Sequence, residues 1–298
     1  MIMTSNNNYH FKVGGFDCTI VSDGTFAYPH PAQLFFANAP HEPLQQALEG
    51  HNVVFEEWEV YVSPYPSLVI NTGQQLVLVD TGAGGFAPTT GKLVSNLQLE
   101  GIAPEDIDIV VLTHGHPDHI GGTLDKSGQP AFPKARYVIG REEWDFWASE
   151  PDLSHLQIPD ELKGLILQMA RTNLPPLQDQ LQLVEVETEI LAGIRVVAAP
   201  GHTPGHIALS VTSGDEQLLV VGDAIIHPLH LEFPDWYTGF DYAPEQVVAT
   251  RHRLLKRTAA EKALLFAYHF ATPSLGYVAP QGQAWQWQPL EIKLPVGQ

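Results

Sequence analysis

Apolar and polar positions alternate from Tyr9 to Val21 and break at Gly14-Gly15 and again at Asp23-Gly24, a pattern that predicts a pair of strands with bends. A Pro-rich, His-containing stretch of no clear period follows. The runs 67–70 and 75–79 then flank Asn71-Thr72-Gly73, a hairpin signal, and the second run ends at Asp80-Thr81-Gly82. Helical spacing from Gly91 to Leu99 leads through Ala103-Pro104-Glu105-Asp106 into 107–112, an unbroken apolar run of the buried-strand kind. Residues 141–149 and 160–173 read as amphipathic helices, with Trp144, Phe146, Trp147, Leu165, Ile166 and Met169 as core or pocket lining. Strands are expected at 194–198, 206–211, 217–221 and 263–267, a turn at Ser213-Gly214-Asp215, and a helix from Pro244 to about Lys256. Trp285 and Trp287, alternating with Gln, read as closing strands. With no low-complexity linker and no short repeat, the chain is expected to form one domain over 1–298 with two similar halves.

Composition narrows the partners more than the fold. At 298 residues and 44% hydrophobic content the chain can bury a large core. No apolar run approaches the ~18 residues of a membrane span, and Met1 to Asn8 shows neither the charged start nor the apolar core of a secretory leader. A cytoplasmic protein with no membrane partner is expected. Fifteen basic against 34 acidic residues, a formal charge of -19, argue against a nucleic-acid substrate. The one basic cluster, Arg251, Arg253, Lys256 and Arg257, follows helical spacing and reads as a solvated face. The single cysteine, Cys18, excludes an internal disulfide framework and any metal site of several thiolates, and its strand-like surroundings predict a buried residue without a role. The 14 histidines, nearly as many as Lys and Arg together, are the unusual feature.

The 107–112 run leads directly into Thr113-His114-Gly115-His116-Pro117-Asp118-His119-Ile120-Gly121-Gly122. A strand end feeding a glycine-flanked loop is where a rigid scaffold presents reactive side chains. His114, His116, Asp118 and His119 stand too close together to spread over a helix face, but a tight loop can turn them toward two neighbouring points. His202 again follows a strand, boxed by Gly201, Pro204 and Gly205. Asp223 follows the strand ending at Gly222, and His269 follows the strand ending near Tyr268. Any one of these histidines alone reads as a surface or satisfied core residue. Four strand ends that each carry metal-type donors read as a cage, and imidazole with carboxylate suits zinc, iron, manganese or cobalt.

The H-x-H-x-D-H run from His114 to His119, with His202, Asp223 and His269 downstream in order, resembles the metallo-β-lactamase superfamily over nearly the whole chain. The resemblance implies an α/β (α+β) fold, a four-layer αββα sandwich with the site at one edge of its two sheets. It implies two divalent metal ions, zinc foremost, with manganese, iron(II) or cobalt as alternatives. One ion is expected on His114, His116 and His202, a second on Asp118, His119 and His269, with Asp223 bridging both. Asp80, matching the family's Asp-Thr-Gly, is expected to orient a ligand histidine from behind, and His206 to brace the His202 loop. A homodimer is also suggested.

Two metals in such a cage can share a water, lower its pKa toward neutrality and hold the resulting hydroxide against an electrophilic carbon or phosphorus. No Gly-x-Ser-x-Gly elbow competes for the role of nucleophile. Asp118 and Asp223 are the candidate catalytic carboxylates, Asp118 being either purely a ligand or also a proton relay to the leaving group. Gly201 to His206, Gly222-Asp223 and Thr250-Arg251 resemble the branch that holds N-acyl homoserine lactonases and methyl parathion hydrolases. That branch implies hydrolysis of an ester, lactone or phosphotriester of a small molecule. One departure stands out: several such lactonases carry Tyr three residues after the bridging Asp, where this chain has Ile226. The segment after Asp223, with Ile226, His227, His230, Phe233 and Trp236, is expected to line the substrate pocket. A glyoxalase II-like thioesterase is the alternative, disfavoured by the short strand-like tail after His269. A mononuclear iron persulfide dioxygenase is disfavoured by the complete second ligand set.

Overall fold

The computed structural model describes residues 2–3 and 8–290, so most of the opening segment read for a leader lies outside the described residues. Two sheets face each other. The first has eight strands in chain order: Ile2–Met3, Tyr9–Val13, Phe16–Pro29, Val60–Asn71, Leu76–Val79, Ile109–Leu112, Arg136–Gly140 and Leu181–Val184. The second has seven, ordered Ala284–Pro289, Leu275–Gln281, Leu264–Phe266, Glu216–Val220, Ile207–Ser213, Ile194–Ala198 and Glu189–Leu191.

The strand Ile109–Leu112 shows why a continuous apolar run is required here. Ile109 and Val111 enter the core between the sheets, whereas Val110 and Leu112 enter the layer under the helices, and all four are fully buried. Leu78, Tyr137 and Ile139 share that outer layer with Leu97, Trp147 and Ile166. On the far side, Val197, Leu219 and Leu265 pack against Leu254 and Leu255 of the helix Pro244–Glu261. Three apolar layers between helix, sheet, sheet and helix make the αββα sandwich that the resemblance implied.

Several elements depart from the sequence reading. The strand Phe16–Pro29 does not end at Asp23-Gly24 but bulges there, because Val60–Asn71 keeps pairing on both sides of the irregularity. The stretch without clear period contains the helices Pro31–Phe35 and His41–Gly50. Arg251 is not on a solvated face: it is fully buried and donates to the carbonyls of Ala224, Pro234 and Trp236, while Arg253 and Lys256 are exposed as expected. Helical spacing places Arg251 on a face, but the carbonyls of the segment after Asp223 draw that guanidinium inward. Cys18 is buried between the sheets, and burial pushes its thiol up to about 12. Among the described residues, no helix is long and apolar enough to cross a membrane.

Candidate metal centre

Four strands of the two sheets deliver the seven sequence-identified donors to one edge. Ile109–Leu112 ends in the loop that carries His114 and His116, which caps a short helix, Pro117–Ile120, bearing Asp118 and His119. Ile194–Ala198, Glu216–Val220 and Leu264–Phe266 of the other sheet lead to His202, Asp223 and His269. The edges are tied directly, since Ile207 N donates to Thr113 O at 3.0 Å.

The donors form two groups that share one residue. Ligand-type atoms of His114, His116, His202 and Asp223 lie within 4.8 Å of one another, as do those of Asp118, His119, Asp223 and His269. In the first group, His116 Nδ1 lies 2.8 Å from His202 Nε2, and Asp223 Oδ2 lies 3.3 Å from His202 Nε2 and 3.9 Å from His114 Nε2. In the second, His119 Nε2 is 3.2 Å from Asp223 Oδ1 and 3.8 Å from Asp118 Oδ2, while His269 Nε2 is 3.1 Å from Asp223 Oδ2. All but Asp118 are buried.

Whether such groups fit a cation is decided by what their inner atoms lack. His114 Nε2, His119 Nε2 and Asp223 Oδ1 are buried without a hydrogen-bond partner among the described residues. Buried polar atoms are rarely left so, and three converging on one spot fit divalent cations, which would satisfy them together. The outward nitrogens are tied down. Asp80 Oδ2 meets His119 Nδ1 at 2.8 Å, Asp241 Oδ1 meets His202 Nδ1 at 2.8 Å, and Ser63 Oγ meets His269 Nδ1 at 2.8 Å. Each contact fixes the ring and turns its free nitrogen inward. Asp80 does this from a left-handed backbone (φ 58), where its carboxylate also accepts from Thr113 N and Thr113 Oγ1.

Burial holds the imidazoles of His114 and His116 well below the usual histidine range, so both are neutral and ready to donate a lone pair. Burial also works to lower His119, but the carboxylates of Asp223, Asp80 and Asp118 outweigh it and raise His119 well above that range. His202 is likewise raised, against burial, to about 9 by hydrogen bonds to Asp223 and Asp241. A cation entering the cage therefore takes the place of protons that answer the same carboxylates.

The neighbouring residues fall less neatly. Burial lowers His206 to about 3, so its ring is neutral; Nε2 accepts from Asp223 N at 3.0 Å and braces the Asp223 turn, while the backbone of His206 closes the His202 loop by accepting from Ala199 N at 3.0 Å and donating to Thr203 O at 3.4 Å. Of the segment expected to line the pocket, only Ile226 does so. The chain turns into the short helix Leu229–Glu232, which carries the remainder behind the wall. There the His227 ring packs on Phe36 and Tyr61, buried His230 meets Phe35 O through Nε2 at 3.0 Å, and Phe233 stacks on Trp236.

The cage instead forms the floor of a cavity with mostly apolar walls. Its walls come from distant elements, among them Phe26, Phe35, Leu165, Ile166 and Phe240. Apart from cage residues, the polar side chains lining it are Tyr28 and Tyr65, whose hydroxyls lie 2.6 Å apart. Sequence reasoning missed both tyrosines, together with Ser63, Asp241 and Glu143. None carries a local signal: Glu142 and Glu143 are neighbours on one helix, yet the first is exposed and the second fully buried.

A profile of the Metallo-beta-lactamase superfamily matches residues 60–269. The N-acyl homoserine lactonase of Bacillus thuringiensis is 26% identical over 179 residues, a stretch spanning 60% of this chain and 62% of that protein. Among solved structures, AidC, described as a dizinc quorum-quenching lactonase in complex with a product, superposes with a TM-score of 0.86 at 27% identity, covering 96% of this chain and 98% of that one. The hydrolase AbOPH of the beta-lactamase superfamily superposes with a TM-score of 0.85 at 25% identity over 97% of this chain and 99% of its own.

Proposed function

Because this chain belongs to the metallo-beta-lactamase superfamily, we propose that it is a metal-dependent hydrolase of small carboxylic esters, lactones foremost. The observation that carries this reading is the pair of donor groups sharing Asp223 at the floor of an apolar cavity. The lactonases among its relatives support the choice of lactones. One divalent ion, zinc foremost, would be held by His114, His116 and His202, a second by Asp118, His119 and His269, with Asp223 serving both. When bound, such ions supply a water activated near neutral pH and polarisation of the substrate carbonyl.

The chain's own residues do the rest. Phe26, Phe35, Leu165 and Ile166 exclude water and favour an acyl or aryl group. Tyr65 is 1% exposed, and among the described residues its hydroxyl meets only that of Tyr28. The two phenols share one hydrogen bond, so one of their two protons is left for the cavity. Burial first, and then the charge of Asp118, raises the Tyr28 phenol well above its usual range, so it stays a donor. It orients the substrate oxygen from the strand Phe16–Pro29, not from the loop that carries Ile226. Asp118 lines the same cavity, and in this reading its carboxylate passes a proton to the leaving oxygen.

Initial rates on zinc-, manganese- and cobalt-loaded protein with a lactone, an aryl ester, a thioester and an aryl phosphotriester test the reading. The lactone is expected to give the highest kcat/KM; a dominant thioester or phosphotriester rate would overturn the substrate assignment. Tyr28→Phe is expected to lower kcat on the lactone by ~100-fold with metal content unchanged, the loss typical of one oriented donor. Tyr65→Phe should cost less, since the Tyr28 donor remains. Wild-type kcat in Tyr28→Phe would remove the phenol from the account.

A further inference from the structure

The helix Arg141–Ala148 inserts a carboxylate between two loops of the cage. Glu143 is fully buried and uses both oxygens. Oε1 accepts from Gly115 N at 2.8 Å and from Trp147 Nε1 at 2.6 Å. Oε2 accepts from Thr203 Oγ1 at 2.6 Å and from Gly205 N at 3.1 Å. Gly115 lies between His114 and His116, Thr203 follows His202, and Gly205 precedes His206, whose ring accepts from Asp223 N. The carboxylate thus bonds a residue next to every histidine of the first donor group, by the backbone at Gly115 and the side chain at Thr203, and reaches the shared Asp223 through one more residue.

The glycines show how closely the helix approaches. A Cβ at Gly115 would stand 2.3 Å from Trp147 Nε1, and one at Gly205 would stand 1.9 Å from Glu143 N. Only loops bared of side chains at these two positions can close on the carboxylate. The second group is held by other means: Asp80 on His119, Ser63 on His269, and Tyr268 Oη on the carbonyl of Asp118 at 2.6 Å. Burying an anion among four donors with no cation among its hydrogen-bond partners is costly unless every bond is made, which makes Glu143 rigid.

The geometry points to Glu143 as the positioning residue of the first metal site: it sets the separation of the His114–His116 and His202 loops, and with it the affinity of that site, while leaving the second site alone. This rests on the cage being a metal centre. It needs no substrate, so it stands or falls separately from the hydrolase reading.

Cobalt binding by metal-free protein tests it, with stoichiometry, affinity by chelator competition and the visible spectrum as readouts. An amide presents an acceptor to one loop only, so Glu143→Gln is expected to weaken one of two sites by ~10- to 100-fold and leave the other at wild-type affinity. In a His269→Ala background, where only the first group is complete, Glu143→Gln should remove the remaining tight site. Trp147→Phe, which takes away one donor but neither loop contact, should weaken the first site less than Glu143→Gln does. Should Glu143→Gln fail to fold, Thr203→Val removes a single bond of the clamp and should weaken the same site alone. Unchanged affinity at both sites, equal loss at both, or equal loss in Trp147→Phe would overturn the assignment.

Discussion

Asp223→Ala reduces hydrolysis by at least ~10³-fold, more than one lost transition-state hydrogen bond explains, because it takes a donor from both groups at once. Its carboxylate is held well below the usual range by His269 and His119 despite burial that raises it, so it is an anion that the inward histidines require. Removing it leaves those rings facing each other: His116 Nδ1 and His202 Nε2 are already 2.8 Å apart. The fold survives, since Asp223 adds no apolar packing and its backbone N–H stays on His206. His116→Ala, by contrast, strips one group only. Circular dichroism and metal analysis beside the rate distinguish the two: Asp223→Ala is expected to lower occupancy of both sites, His116→Ala of one. Wild-type activity in folded Asp223→Ala would sink the shared-carboxylate account.

Arg251→Leu destabilises the protein by ~2–4 kcal/mol, because a shorter apolar side chain leaves the carbonyls of Ala224, Pro234 and Trp236 buried and unpaired. The cost of burying the guanidinium, which lowers Arg251 to about 10, is recovered in the variant and offsets part of the loss. Ala224 adjoins Asp223, so the same change loosens the turn that presents the shared carboxylate. A fall in Tm of roughly 5–15 °C is expected by calorimetry. An unchanged Tm would mean that the three carbonyls find other partners.

The donor set was legible because each member sits in a segment that follows a strand end, where a change from apolar run to Gly, Pro and His marks a loop that must face outward. The sandwich was implied by the family resemblance of that donor set, and the apolar runs agree with it, since strands buried on both faces need two covering layers. Asp80, which meets His119, was read from the Asp-Thr-Gly that matches the family, but the other supports of the cage were not legible. Asp241 is 39 residues from His202, Ser63 is 206 from His269, and Glu143 is 28 from Gly115, so no local spacing links the partners. The cavity wall was misplaced for a related reason: the aromatic residues after Asp223 follow the short helix Leu229–Glu232 into the core, and rings from distant elements take their place. Arg251 shows the limit of charge patterning, since a helical face says nothing of the carbonyls that another segment brings to it.

The central claim is that two cations, held by two groups sharing Asp223, power hydrolysis of a lactone. Titrating metal-free protein with zinc while following lactone hydrolysis tests it most directly. The account predicts negligible turnover without zinc and activity that reaches its plateau only at two equivalents per chain. Full activity at no zinc or at one equivalent, or none at two, would contradict it.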